Sequence, residues 1–149
     1  MTQRRVSADW VPGPLRCAVR TEGDFVIEVD EPVSAGGTDL GPQPTDLFLA
    51  SIASCFTLAL VYSAQRLGLD LASVEVEVLG DYEGPRFAAV EIMARIGGID
   101  DGQLERLVTA AERVCYVTQT LRRPPAITVT TSGRSGVEMT RSGGSAEPS

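Results

Sequence analysis

The three cysteines, Cys17, Cys55 and Cys115, are the side chains with the most distinctive chemistry in this sequence. They form no Cys-x-x-Cys pair, so their spacing excludes a zinc knuckle and a thioredoxin-type motif. A cysteine thiolate is a nucleophile, and two thiols that meet can cycle through a sulfenic acid and a disulfide. The alternative is that the cysteines are small buried core residues, which is the commonest role of a free cysteine.

The basic residues limit how such a thiol could be activated, because all 13 are arginine and the chain has no histidine or lysine. Without histidine there is no Ser-His-Asp triad, no Cys-His pair and no imidazole metal ligand. Without lysine there is no Schiff base and no Walker-A lysine. A thiol that needs a neighbouring cation can therefore use only arginine. We expect no metal and no cofactor, because three scattered cysteines are a poor ligand set.

The length of 149 residues fits one globular domain, and the formal net charge of −7 disfavours nucleic-acid binding. Residues 1–14 carry no apolar run after their arginines, so no signal peptide is expected. The uncharged segment 47–64 approaches the length of a membrane span, but its serines, its threonine and its cysteine favour a buried helix. We expect a soluble cytoplasmic protein that binds neither nucleic acid nor membrane.

Hydrophobic periodicity predicts an α+β fold with the order β-β-α-β-β-α-β and an antiparallel sheet. The predicted elements are strands 15–19 and 25–29, a helix 44–67, strands 74–78 and 90–96, a helix 104–115, and a strand 126–130. We assign residues 1–14 to an N-terminal extension and 15–131 to a single domain. Residues 132–149, rich in serine and glycine, are expected to be a disordered tail.

The helix 44–67 is apolar on every side, so it must be enclosed on every side. Its large apolar residues are Phe48, Leu49, Ile52, Phe56, Leu58, Leu60, Val61 and Tyr62. One sheet of this size covers only one side of a helix, and a second copy of the chain would cover the other. The sequence therefore predicts a buried central helix packed on the sheet, in the core of an obligate homodimer.

Cys55 lies in the middle of this helix, about 16 Å from Pro44 at 1.5 Å per residue. The field of the helix terminus fades within its first turn, so an arginine would be needed to ionise Cys55. Cys115 lies on the apolar stripe of the second helix, and the two thiols would meet if the helices pack together. Cys17 shares a strand face with Leu15 and Val19, and we assign it to the core.

Two segments resemble the OsmC/Ohr superfamily of osmotically induced and organic hydroperoxide resistance proteins. The first contains DEP at 30–32, GGTDLGPQP at 36–44 and DLFLASIASC at 46–55. The second is AERVC at 111–115, which is followed by Leu121 and a strand. The resemblance extends over residues 15–131 and implies an intertwined α+β homodimer with active sites at its interface.

The resemblance also implies roles for individual residues. Cys55 corresponds to the peroxidatic thiol and Cys115 to the resolving thiol. The family's arginine best matches Arg20, with Arg16 close by as the alternative. A glutamate follows the proline that opens the helix in this family, but Thr45 stands there in this sequence. Because that glutamate holds the arginine over the thiolate, its replacement leaves the level of activity open.

The hypothesis for function is a thiol-dependent peroxidase that reduces organic hydroperoxides to alcohols in oxidative stress defence. Phe48, Phe56 and Thr45 are its candidate substrate-binding residues, and their apolar setting favours organic or lipid hydroperoxides. The expected partners are a second copy of the chain, the hydroperoxide, and a dithiol reductant such as a lipoylated or thioredoxin-like protein. One alternative is a redox-sensing or small-molecule binding dimer without efficient turnover. Another is a purely structural dimer.

Overall fold

The computed structural model describes residues 2–143, which form seven β-strands and three α-helices. The fold is mixed α+β with antiparallel sheets and a central helix, as the sequence predicts. In chain order the elements are β1 (Val6–Trp10), β2 (Arg16–Thr21), β3 (Val26–Asp30), a 3₁₀ turn (Val33–Ala35), α1 (Pro44–Leu67), β4 (Ser73–Glu83), β5 (Arg86–Gly97), α2 (Asp101–Val114), α3 (Tyr116–Arg122), β6 (Ile127–Ser132) and β7 (Glu138–Gly143).

These elements belong to two compact units. One comprises the residues up to Ser54 together with Glu75–Arg95, and the other comprises Cys55–Val74 together with the residues from Ile96 onward. The division falls within the continuous helix α1, between Ser54 and Cys55. Cys55 and Cys115 are therefore both in the second unit.

The first unit contains a three-stranded antiparallel sheet in the order β1-β2-β3. In its register, Val6 faces Thr21 across β1 and β2, and Arg16 faces Asp30 across β2 and β3. The strand β1 lies within residues 1–14, where no strand was predicted. All five of its side chains are exposed, so it lacks the alternation of buried and exposed residues that identifies a strand.

The loop after β3 is organised around the carboxylate of Asp30, which is only 1% exposed. It accepts hydrogen bonds from the amides of Glu31 (2.8 Å), Thr38 (3.0 Å) and Leu40 (3.0 Å), and from the Thr38 hydroxyl (2.5 Å). Burial alone would raise the pKa of Asp30, but these bonds outweigh it and lower the pKa to about 2. The carboxylate thus fixes the loop that leads into α1.

Two glycines of this loop are required by close backbone approaches. A Cβ on Gly37 would lie 1.8 Å from the carbonyl oxygen of Glu31, and one on Gly41 would lie 2.2 Å from that of Glu28. Any side chain at either position would force the backbone apart. The aspartate and glycines of the sequence motif in 30–44 therefore have a structural explanation.

The helix α1 has the predicted bounds, from Pro44 to Leu67, and Gly68 follows with a φ of 65° that suits a helix C-terminus. One stripe of the helix is buried and contains Ile52, Phe56, Ala59, Leu60, Ser63 and Ala64. Another face is open, with Leu58 68% exposed and Tyr62 52% exposed. The prediction of a fully enclosed helix is thus met on only part of its surface within one chain.

By length and composition alone α1 could also cross a membrane, since its mean hydropathy reaches 1.9. The core helix of a soluble protein meets the same test, so this property does not separate the two cases.

The strands β4 and β5 pair with each other and are joined by Gly84 and Pro85. Gly84 has a φ of 58°, a value that glycine adopts readily in tight turns. On an exposed face, Arg95 lies 3.5 Å from the Glu75 carboxylate and 4.0 Å from that of Glu77. These three residues lie on the polar faces that the alternating patterns predict.

In the second unit, α2 begins with the predicted capping box. The Asp100 carboxylate accepts from the Gln103 amide (2.8 Å), and the Gln103 side chain accepts from the Asp100 amide (3.0 Å). The helix ends at Val114, and Cys115 is an extended residue with φ −75° and ψ 102° at the start of α3. The sequence predicted Cys115 on the stripe of α2 itself. It gave no signal for α3, where the β-branched Val117, Thr118 and Thr120 lower helix propensity.

The strands β6 and β7 form an antiparallel hairpin in which Ile127 faces Gly143 and Ser132 faces Glu138. Residues 138–143 are therefore a strand, and the prediction of a disordered tail from residue 132 is wrong for them. Every side chain of both strands is exposed, so the pairing depends on the backbone. The serines and glycines of this segment therefore show no hydrophobic pattern that would predict a strand. Residues 144–149 of the predicted tail lie outside the described residues.

Candidate functional site

Cys55 of α1 and Cys115 at the junction of α2 and α3 come together in the second unit. Their thiols interact directly, and neither cysteine is in a disulfide. Cys115 is completely buried, whereas Cys55 is partly exposed. The two cysteines thus form a pair in which one thiol is reachable from solvent and the other lies behind it.

Several hydrogen-bond donors make Cys115 the more acidic thiol of the pair. Its burial would raise its pKa, but the hydroxyl and amide of Thr118, the Cys55 thiol and the amide of Val117 outweigh that effect and lower the pKa. Both amides belong to the first turn of α3, and amide N–H groups that interact with a sulfur favour its ionised form.

The pKa of Cys55 is raised instead. Burial is the main cause, and the neighbouring Cys115 raises the pKa further, against a smaller lowering by the amides of Val117 and Tyr116. Cys55 is therefore the less acidic thiol of the pair. A positive charge beside Cys55 would favour its ionisation.

An apolar pocket of about 390 Å³ opens onto Cys55. Its walls are Cys55, Leu58, Ala59, Tyr62, Val114 and Tyr116. Cys115 does not line it, so a molecule entering the pocket reaches the Cys55 sulfur first. Tyr116 is 85% exposed and Leu58 68% exposed, so the rim of this pocket is both apolar and open.

None of the predicted substrate-binding residues is among those that line this pocket. Phe56 is 6% exposed and is not among the residues that line the pocket. Thr45 accepts a hydrogen bond of 2.8 Å from the Tyr82 hydroxyl in the first unit. Phe48 stacks on Phe87 at 5.7 Å between ring centroids, and Phe87 stacks on Tyr82 at 4.5 Å. Thr45 and Phe48 thus belong to an aromatic cluster at the start of α1.

The two candidate arginines are both on β2, in the first unit. Arg20 is exposed, whereas Arg16 is half-buried and lines a small pocket with Pro44, the first residue of α1. The Arg16 Nε is withdrawn from solvent without a hydrogen-bond partner and lies 4.0 Å from the Glu28 carboxylate. Cys17, which we predicted as a core residue, is half-buried beside Arg16 in the wall of the same pocket.

The pocket residues Leu58, Tyr62, Val114 and Tyr116 were not predicted as site residues. Two signals in the sequence could have found them. Leu58 and Tyr62 lie three and seven residues after Cys55, on the same helix face, and Val114 and Tyr116 flank Cys115 directly. In residues 2–143 no three cysteine, aspartate or glutamate side chains converge as a metal site would require.

Three solved structures of organic hydroperoxide resistance proteins share the fold. The OsmC protein of Legionella pneumophila has a TM-score of 0.66 and 24% identity, over 82% of this chain and 90% of that chain. The protein of Elizabethkingia anophelis has a TM-score of 0.62 and 25% identity, over 80% and 89% respectively. OhrB of Bacillus subtilis has a TM-score of 0.61 and 20% identity, over 83% and 93%. No curated protein sequence matches the chain.

The sequence pattern of the OsmC-like protein family matches residues 36–130, which is more than half of the chain. The matched segment contains the Gly-Pro loop, α1 with Cys55, and the α2–α3 junction with Cys115. It supports α1 as the core helix of a soluble protein, and it confirms the resemblance seen in the two cysteine motifs. The chain belongs to the OsmC-like protein family.

Proposed function

We propose that this protein reduces organic hydroperoxides to alcohols in oxidative stress defence, with Cys55 as the attacking thiol and Cys115 as the resolving thiol. The observation that carries the proposal is the pairing of a partly exposed Cys55 with a buried Cys115 beneath an apolar pocket. The apolar walls would hold the organic part of the peroxide, and a thiol is the group that the chain offers to cleave its O–O bond.

In the proposed reaction the Cys55 thiolate attacks the terminal oxygen of the hydroperoxide. The O–O bond breaks, the alkoxide takes up a proton to become an alcohol, and Cys55 becomes a sulfenic acid. The Cys115 thiolate then attacks the Cys55 sulfur and displaces hydroxide, which leaves as water after protonation. A dithiol reductant, such as a lipoylated or thioredoxin-like protein, returns both cysteines to thiols.

Activation of Cys55 is the step that needs the most help, because its pKa is raised in the isolated chain. Cys115 cannot drive this step alone, because its lowered pKa makes its thiolate the weaker base of the pair. We assign Arg20 the further role of stabilising the Cys55 thiolate and polarising the peroxide, with Arg16 as the alternative. An arginine remains charged in such a position even when it is partly buried.

We propose that the protein works as a homodimer in the cytoplasm, where free thiols are kept reduced. The open face of α1 supports the dimer, since Leu58 is 68% and Tyr62 52% exposed although both are large and apolar.

We expect Leu58→Asp to separate the dimer into monomers in light scattering after size-exclusion chromatography. The matched control, Val137→Asp, changes a residue that is 62% exposed outside α1 and should stay dimeric. Wild-type protein that is monomeric at micromolar concentration would contradict the dimer.

The function is tested by steady-state turnover of cumene hydroperoxide with a dithiol reductant. We expect turnover in the wild type and in Cys17→Ser, and none above background in Cys55→Ser or Cys115→Ser. Undiminished turnover in Cys55→Ser would overturn the assignment. Arg20→Gln and Arg16→Gln, measured separately, decide which arginine acts, because only the acting one should lower kcat/KM.

Two observations favour the second candidate function, a redox sensor or small-molecule binding dimer without efficient turnover. Thr45 replaces the family glutamate, and the pKa of Cys55 is raised. A sensor would form the Cys55–Cys115 disulfide once, slowly and stoichiometrically. The same assay separates the two functions, because a sensor shows no sustained turnover with any dithiol reductant.

A further inference from the structure

A second cavity, of about 550 Å³, lies beside the thiol pocket in the second unit. Its lining residues are Arg113, Val114, Tyr116, Gln119, Thr120 and Arg123. Val114 and Tyr116 also line the thiol pocket, so the two cavities are neighbours that share two wall residues. Neighbouring cavities of this kind suit a ligand with two chemically different ends.

The two cavities differ in chemistry. The thiol pocket is walled by apolar and aromatic residues apart from Cys55, whereas two arginines, Arg113 and Arg123, are among the residues that line the second cavity. No aspartate or glutamate is among the residues that line the second cavity. Two positively charged residues in one cavity wall, with no carboxylate beside them in that wall, favour an anionic ligand.

Nearby acidic groups do not neutralise these arginines. The Glu112 carboxylate pairs with Arg122 at 3.0 Å, while Arg113 and Arg123 form no ion pair within residues 2–143. Both residues are exposed, and an arginine side chain offers planar, bidentate donors that match a carboxylate.

The connection between α2 and α3 holds the cavity in shape. The Gln119 side chain donates to the carbonyl oxygen of Glu112 at 2.7 Å, and the Arg122–Glu112 ion pair joins the same two helices. The Thr120 hydroxyl donates to the carbonyl oxygen of Tyr116 at 2.7 Å. These contacts connect the residues around the cavity and do not involve the side chains of Arg113 or Arg123.

We propose that Arg113 and Arg123 form a carboxylate-binding subsite for small amphiphilic ligands whose apolar part occupies the Cys55 pocket. This proposal rests on the proposed function, in which the Cys55 pocket holds the organic part of the substrate. Binding of a ligand in the two cavities nevertheless requires no turnover. The subsite would make the protein select ligands that carry a carboxylate at one end and an apolar chain at the other.

The test is equilibrium binding of octanoate and of 1-octanol to the reduced full-length protein by calorimetry. We expect octanoate to bind at least about tenfold more tightly than octanol, since charge-assisted hydrogen bonds are the stronger ones. Arg113→Gln and Arg123→Gln should each weaken octanoate binding by about tenfold and leave octanol binding unchanged. The matched control, Arg106→Gln, alters an exposed arginine of α2 outside the cavity and should change neither.

Equal binding of octanoate and octanol, no octanoate binding at millimolar concentration, or octanoate binding unaffected by both cavity variants would each overturn the subsite. If the variants instead raise only the KM for a protein reductant, the arginines dock that reductant and the proposal is wrong. Turnover of cumene hydroperoxide, which has no carboxylate, tests the proposed function separately. Arginine-dependent octanoate binding without such turnover would retain the subsite and reject the peroxidase.

Discussion

Asp30 and Cys115 are both withdrawn from solvent, at 1% and 0% exposure, yet their surroundings differ. Four donors surround the Asp30 carboxylate, and all come from the loop that it organises. Cys115 instead interacts with a second titratable thiol, Cys55, beside an open apolar pocket. The Asp30 carboxylate thus has donors for both of its oxygens within one chain. The Cys115 thiol is instead paired with Cys55, which lines an open pocket.

Burial of Asp30 thus serves to hold a loop in place, whereas burial of Cys115 places one titratable thiol beside another. A carboxylate with a complete set of donors has no reason to change its protonation at neutral pH, and it rigidifies the segment around it. A thiol pair that shares a proton can exchange it, lose two electrons and recover them. The Asp30 loop is the scaffold that leads into α1, and we propose that the thiol pair is the reactive centre. The predictions below separate these two roles.

The largest expected effect is the loss of peroxide reduction in cysteine variants whose folding is intact. Cys55→Ser should remove turnover while its melting temperature stays within a few degrees of that of the wild type, because the hydroxyl nearly matches the thiol in size. Circular dichroism melts and the cumene hydroperoxide assay on the same samples measure both. A Cys55→Ser protein that melts far below the wild type would mean that the pair is structural.

The next effect concerns the loop alone. Gly37→Ala places a Cβ where the Glu31 carbonyl oxygen now lies 1.8 Å away, so it should destabilise the protein by about 3 kcal/mol. Gly133→Ala is the matched control, because its Cβ would meet nothing within 4 Å. It should change the free energy of unfolding by less than about 0.5 kcal/mol. Urea unfolding compares the two, and equal stabilities would contradict the described loop.

The pH dependence of stability tests Asp30 itself. Its pKa is lowered from 3.8 to about 2 in the folded protein, so its stabilising effect is complete above the unfolded value and is lost as the pH falls through about 2. Asp30→Asn should lower the melting temperature at pH 7, and the gap from the wild type should narrow between pH 4 and pH 2. The control Asp81→Asn, at an exposed position of β4, should leave the melting temperature at pH 7 unchanged. If the difference in melting temperature between Asp30→Asn and the wild type does not change with pH, the charge of Asp30 contributes nothing to stability.

The smallest effect is on the acidity of Cys115. Thr118→Val removes a hydroxyl that lowers the pKa of Cys115, so the thiolate fraction should fall at neutral pH. Disulfide formation should slow by less than about tenfold, since a full pKa unit changes the thiolate fraction tenfold. The ultraviolet thiolate absorbance of Cys17→Ser protein, followed against pH with and without Thr118→Val, reports the shift. Thr120→Val, which removes a hydroxyl bonded to the Tyr116 carbonyl, is the control and should leave the titration unchanged.

Much of the fold could be predicted from the sequence because its signals are local. Alternation in 74–78, the capping box at Asp100 and the proline and glycine that bound α1 each depend on neighbouring residues. The strands β1, β6 and β7 depend on backbone pairing with exposed side chains, so hydrophobicity indicates β1 and β7 poorly. The short helix α3 contains β-branched residues and is seen only in the folded chain.

The meeting of Cys55 and Cys115 could also be anticipated, because both lie on inward faces of helical segments and in family motifs. The difference in acidity between them could not, since it depends on the amides and hydroxyl that α3 directs at Cys115. The pocket wall formed by Leu58, Tyr62, Val114 and Tyr116 likewise requires the positions of three helices. Spacing along one helix predicts a shared face but not which residues of another helix complete it.

The most direct test of the central claim is a single-turnover titration. Reduced Cys17→Ser protein is treated with one equivalent of cumene hydroperoxide, free thiols are counted, and disulfides are mapped by mass spectrometry. We expect the loss of two thiols per chain and a disulfide that joins Cys55 to Cys115 within one chain. Two thiols that both remain after treatment, or a disulfide between different chains, would contradict it.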